Sequence, residues 1–179
     1  MRHVRLQAAM VALLCLHSLK AAASEELPAD IVTALLPLTT YGIARYKGDV
    51  EGSKQFLRST GTSLVVNSSL RLAFNGTSWG ERPNGSPYGF PSGHAGFVTS
   101  SAAFLQDRYG WKYGLPAYAL VAYVSYVRVD TDHHRWRDVA AGAAVSYGIS
   151  KLFVTPENAT HLAPVIGPDF LGMRWERSF

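Results

Sequence analysis

The 179-residue chain has one cysteine, Cys15, and it lies in a leader-like N-terminus. Without that leader there is no disulfide, no thiol nucleophile and no cysteine-based metal site. Long hydrophobic runs are also missing. Ala8–Leu19 is apolar but broken by His17 and Ser18, Gly114–Val127 runs for 14 residues before Arg128, and Ile31–Ala44 is similarly short. None reaches the ~18 residues that license a membrane span, so these stretches predict buried helices of a soluble bundle. No segment alternates strictly as a strand would, and there is no internal repeat or linker dividing the chain.

What is present begins with an export signal over residues 1–23. Arg2, His3 and Arg5 give a basic start, the apolar run follows, and Ala21-Ala22-Ala23 supplies a small-residue cleavage site before Ser24. Removing it leaves 14 Lys and Arg against 13 Asp and Glu, so the basic character of the whole chain belongs mostly to the leader. The near-neutral remainder argues against nucleic acid as a partner, and any membrane contact would be peripheral. Residues 24–179 are long enough for one domain with a real core. Four Asn-X-Ser/Thr sequons occur, at Asn67, Asn75, Asn84 and Asn158. Two of them flank the candidate site, where a glycan would obstruct it. This favours a bacterial periplasmic location, where sequons have no meaning.

Helical spacing dominates the remainder, and the expected fold class is all-α: a bundle of about five main helices with the active site at one end. The expected helices cover 29–45, 49–74, 94–109, 115–128 and 137–153. In the second, Phe56, Leu57, Leu64, Leu70 and Phe74 recur near helical spacing and predict its buried face. Residues 75–93 are dense in Gly, Pro, Asn and Ser and read as a loop, whose length marks it as functional. The tail 156–179 carries Phe170, Leu171, Met173, Trp175 and Phe179, which suggest packing on the domain surface, but no element is assignable there.

Three short blocks carry chemistry: Arg82-Pro83, Pro91-Ser92-Gly93-His94, and Arg128…His134…Asp138. Phosphate chemistry needs preorganised donors for charge on the equatorial oxygens. Arg82 and Arg128 suit this because a guanidinium stays charged and binds phosphate bidentately. Ser92 and Gly93 stand at a helix start, where free backbone N–H groups and a hydroxyl meet an anion. His134 and Asp138 are four apart, so Asp138 can orient the imidazole as a nucleophile. His94 is placed to protonate the leaving oxygen. Adjacent His133 and His134 face different ways, which speaks against a metal site, and no cofactor is expected.

The blocks resemble the signature of the type 2 phosphatidic acid phosphatase superfamily, which includes bacterial acid phosphatases, lipid phosphatases and vanadium haloperoxidases. A Pro-Ser-Gly-His tetrapeptide alone is expected by chance in roughly one chain in a thousand. The pattern is Lys-x6-Arg-Pro, Pro-Ser-Gly-His and Ser-Arg-x5-His-x3-Asp. Here Val127 replaces the serine and Asn75 replaces the lysine. Arg71, one helical turn before Asn75, shares its face and is expected to supply the missing cation. The resemblance implies a metal-independent phosphatase working on a phosphorylated lipid or small ester through a phosphohistidine intermediate. The alternatives are a vanadium-dependent haloperoxidase and a non-catalytic anion- or lipid-binding protein.

Overall fold

The computed structural model describes residues 26–157, 160–167 and 170–177. The expected export signal at 1–23 lies outside the described residues. Five helices follow one another up and down: α1 (Glu26–Tyr46), α2 (Val50–Phe74), α3 (Gly93–Tyr109), α4 (Trp111–Asp130) and α5 (Trp136–Phe153). The all-α bundle expected from the sequence is the fold. The tail adds an antiparallel hairpin, β1 (Thr160–Gly167) with β2 (Phe170–Arg177), in register Thr160↔Arg177 through Gly167↔Phe170. The side chains behind the expected surface packing of that tail lie outside the described residues.

Boundaries follow local chemistry. Asp49 caps α2, accepting from the Gly52 N–H at 2.8 Å. Ser92 caps α3 through Ala95 N–H. Gly110, at φ 84°, ends α3 and lets α4 start at once at Trp111, four residues before the expected start at 115.

α3 is the central helix and packs against α2, α4 and α5. Its Val98, Ala102, Ala103 and Phe104 are fully buried. Ala29, Leu36 and Ala44 of α1 join the same cluster, with Val121, Val124 and Val127 of α4. The end remote from the site is held by Asp49. Its carboxylate accepts two bonds from Arg108, both 2.7 Å, and one from the Tyr109 hydroxyl at 2.9 Å. Arg108 also donates to the carbonyls of Thr155 and Pro156, so one buried ion pair ties α2, α3 and the segment after α5.

The distribution of polarity departs from the sequence expectation of a soluble bundle. α2 buries Ser53, Gln55, Ser59, Thr60, Ser63 and Asn67 and, of its expected apolar face, only Phe56. Leu57 and Leu64 point outward with Val65 and Leu72. α3 contributes Thr99, Ser100 and Ser101 to the interior, and α5 contributes Ser146 and Ser150. Leu27, Ile31, Leu35 and Leu38 on α1 are exposed, as are Trp111, Leu115 and Tyr126 on α4. Small hydroxyl and amide residues let helices approach closely and bond across the interface, which is how bundles pack in an apolar solvent. α1 is long and apolar enough to cross a membrane, and only 28% of its apolar window is buried.

Candidate active site

Up-down topology brings the C-terminal ends of α2 and α4 to the same end of the bundle as the N-terminal ends of α1, α3 and α5. The sequence puts Arg71 in the last turn of α2, Arg128 in the last turn of α4, His94 in the first turn of α3 and His134 just before α5. Chain order alone thus gathers two cations and two imidazoles at one pole, together with two helix N-termini whose free N–H groups favour an anion.

The loop 75–92 is held in shape from within. Gly89 N–H donates to Gly80 O at 2.6 Å, and Arg82 N–H to Ser86 O at 2.9 Å. Phe74, Trp79 and Phe90 pack edge to face, and the Arg137 guanidinium sits 4.5 Å over Trp79. Phe90 therefore braces the loop. Asn84 N–H and Asp132 O join this loop to the 131–135 segment. Ser92 N–H donates to Asp138 O at 2.9 Å, which fastens the start of α3 to the start of α5. That approach requires Gly142, since a Cβ there would lie 2.3 Å from Ser92 O.

His134 is 2% exposed. Its Nδ1 lies 2.7 Å from the Gly89 carbonyl oxygen, which can only accept. Nδ1 is therefore the protonated nitrogen, and Nε2 keeps its lone pair. Burial pushes the imidazole pKa down to about 3. The Gly89 bond works the other way, and the charges of Arg82, His94 and Arg71 reinforce the fall. His134 is neutral at pH 7.

Asp138 stands farther from this ring than the expected orienting bond requires. Its Oδ2 lies 4.0 Å from His134 Nδ1, beyond a hydrogen bond. That oxygen accepts from the Arg135 N–H at 2.7 Å instead, capping α5, while Oδ1 faces Arg137 Nε at 3.4 Å. An i, i+4 spacing puts two side chains on one face only inside a helix, and α5 begins two residues after His134. Asp138 thus caps the turn that carries His134, and the Gly89 carbonyl is the group bonded to the ring. Ser92 is likewise fully buried, with its hydroxyl capping α3, so the open wall of the pocket is Gly93.

The open pocket, about 190 Å³, is lined by Arg71, Gly93 and His94 with Ser63, Asn67 and Phe97. Arg71 lies against Gly93: a Cβ on that glycine would stand 3.0 Å from the guanidinium. Arg71 also lies 5.9 Å over the ring of Tyr88, which takes a left-handed φ of 63°. Asn75 lines a separate surface depression with Gly76, Thr77 and Glu81. Arg71, Arg82 and Arg128 share one property: each has a buried Nε with no hydrogen-bond partner. A buried guanidinium N–H left unpaired is costly.

Asp30 is not among the residues expected at the site. Its Oδ1 bonds Arg128 Nη2 directly and lies 3.5 Å from His94 Nε2. One turn earlier, Glu26 lies 3.4 Å from His133 Nδ1. Two acids four apart on an otherwise apolar helix were the available signal. Among the described residues, no three His, Cys, Asp or Glu side chains converge as a metal site needs.

The family model described as the PAP2 superfamily matches residues 6–159. A lipid A 4'-phosphatase of Helicobacter pylori is 38% identical over 86 residues, covering 47% of this chain and 43% of the relative. A lipid A 1-phosphatase of the same species is 31% identical over 103 residues, covering 55% and 54%. The chain spans about half the length of the curated relatives it matches. No solved structure matches.

Proposed function

The chain belongs to the PAP2 superfamily, and on that premise we propose that it is a phosphatase acting on a phosphorylated lipid at the periplasmic side of a bacterial membrane. The observation that carries the reading is the set of three arginines whose Nε atoms are buried and unpaired, gathered with two histidines at one pole of the bundle. Unpaired guanidinium donors call for an anion with several acceptor oxygens, and a phosphoryl group has them. The outward apolar faces of α1, α2 and α4 favour a lipid surroundings for the bundle. The lipid A phosphatases among the relatives favour a lipid substrate. Residues 1–23 serve as the export sequence in this reading.

In this mechanism Arg71, Arg82 and Arg128 hold the phosphoryl oxygens, with backbone N–H groups at Gly93. His134 Nε2 attacks phosphorus, and the bond from phosphorus to the lipid oxygen breaks. The leaving oxygen takes a proton from His94, whose charged form the bound phosphate favours. Water then attacks phosphorus and gives its proton to His94; the phosphorus–nitrogen bond breaks, its electron pair returns to His134 Nε2, and inorganic phosphate leaves. No metal takes part. Before any of this, Asp30 must leave Arg128, because a carboxylate and a phosphate compete for the same donors.

The direct test is phosphate release by the full chain in detergent micelles, in the presence of chelator, from phosphatidate and from lipid A phosphates. Release from these lipids is expected; release from soluble esters alone sinks the lipid assignment. His94→Ala should slow alkyl phosphates by ~10²–10⁴-fold, the usual contribution of a general acid. It should slow p-nitrophenyl phosphate far less, because that leaving group departs without a proton. Equal losses on both would remove His94 from the acid role.

A further inference from the structure

We propose that the apolar groove between α1 and α2 receives an acyl chain of the substrate and that Gly61 keeps it open. This rests on the lipid phosphatase reading and specifies where the lipid lies. The groove has a volume of about 520 Å³ and takes Leu38 and Tyr41 from α1 and Leu57 and Gly61 from α2. Thr60 also lines it, but its hydroxyl is bonded to Ser100 at 3.2 Å and is not offered to a ligand.

The groove does not stand apart from the site. Leu64 and Phe97 line both the groove and the pocket that holds Arg71 and His94. Along α2 the sequence Leu57, Gly61, Leu64, Arg71 steps at four, three and seven residues, so these positions share a face. The rise from Leu57 to Arg71 is roughly 21 Å, a length that a long acyl chain fills and a short one does not. One end of this track carries a guanidinium with an unpaired Nε; the other is lined mostly by hydrocarbon. The complementary ligand is an amphiphile with a phosphate at one end and a chain at the other.

Gly61 is the informative residue. A Cβ built there meets nothing within 4 Å. No close helix approach explains a glycine at this position, and in mid-helix it gives up stability relative to alanine. What its missing side chain leaves is room in the groove.

The test uses the full chain in detergent, with phosphatidates of hexanoyl and of hexadecanoyl chains and with p-nitrophenyl phosphate. The wild type should favour the long-chain substrate in kcat/KM. Gly61→Trp should reduce that preference by ~10-fold or more, the scale on which a blocked hydrophobic pocket discriminates. It should leave p-nitrophenyl phosphate turnover near wild type, which also reports an intact fold. Gly61→Ala should behave as wild type. Leu38→Trp, entering from α1, gives a second block if tryptophan at 61 disturbs α2. Long-chain preference that survives both tryptophan variants overturns the groove assignment. A wild type that hydrolyses lipids without regard to chain length also overturns it, while the lipid phosphatase reading stands. Failure to hydrolyse any phosphorylated lipid removes both.

Discussion

His134→Ala abolishes turnover and leaves no phosphoenzyme to trap after acid quench with radiolabelled substrate. The expected loss is on the order of 10⁶-fold, as when an enzyme loses its nucleophile. Among the histidines whose side chains are described, His134 alone combines near-complete burial with an orienting bond at 2.7 Å that leaves Nε2 free. A labelled intermediate persisting in the mutant would assign the nucleophile elsewhere. The pH profile gives an independent check. With its pKa near 3, the His134 imidazole keeps its lone pair above that value and loses it only as the pH falls through it. The acid limb of kcat/KM assigned to His134 should therefore appear near pH 3, not near the ~6.5 of an ordinary histidine. An acid limb that sits at 6.5 in the wild type and vanishes on repositioning the ring, as in Gly89→Pro, would contradict this ordering.

Arg71→Ala should cost ~10²–10³ in kcat, the price of removing one preorganised donor from a dry phosphoryl site. Arg71 lines the pocket with His94, touches Gly93 and has an unpaired buried Nε. Asn75 faces a different depression, so Asn75→Ala should cost little. The sharper variant is Asn75→Lys, which restores the family spacing. With Arg71 already at the pocket, it should not raise kcat/KM, and the double variant Arg71→Ala/Asn75→Lys should recover little. A gain of activity in Asn75→Lys together with an unchanged Arg71→Ala would show that the natural site works without that cation.

The pole of the bundle was legible because its residues sit at fixed distances from helix ends. A turn rich in Gly and Pro before His94, and Arg128 closing an apolar run, mark those ends in the sequence itself. The interior of α2 was not legible. Periodicity reports that a helix has two faces, but it does not say which faces the core. With water outside, Leu57 and Leu64 would face an interior that Ser59, Ser63 and Asn67 occupy instead. Asp30 was missed for another reason. It meets Arg128 across 98 positions, and no spacing rule reaches that far. Residues four apart share a face only inside a helix, and α5 begins two residues after His134, so Asp138 stands 4.0 Å from the ring.

The amide of Asn67 has a consequence for how this protein is made. It is 4% exposed, and its Nδ2 donates to Ser63 O at 2.9 Å and to Ser146 Oγ at 3.2 Å, where α2 meets α5. The same nitrogen is the acceptor atom of an Asn-Ser-Ser sequon. Glycosylating secretory pathways read sequons on the nascent chain, before burial protects them. A sugar attached there would sit between two helices that touch through that atom, and the bundle would not close. Expression through a eukaryotic secretory route therefore sets modification against folding at this one side chain. A bacterial host without that machinery removes the conflict.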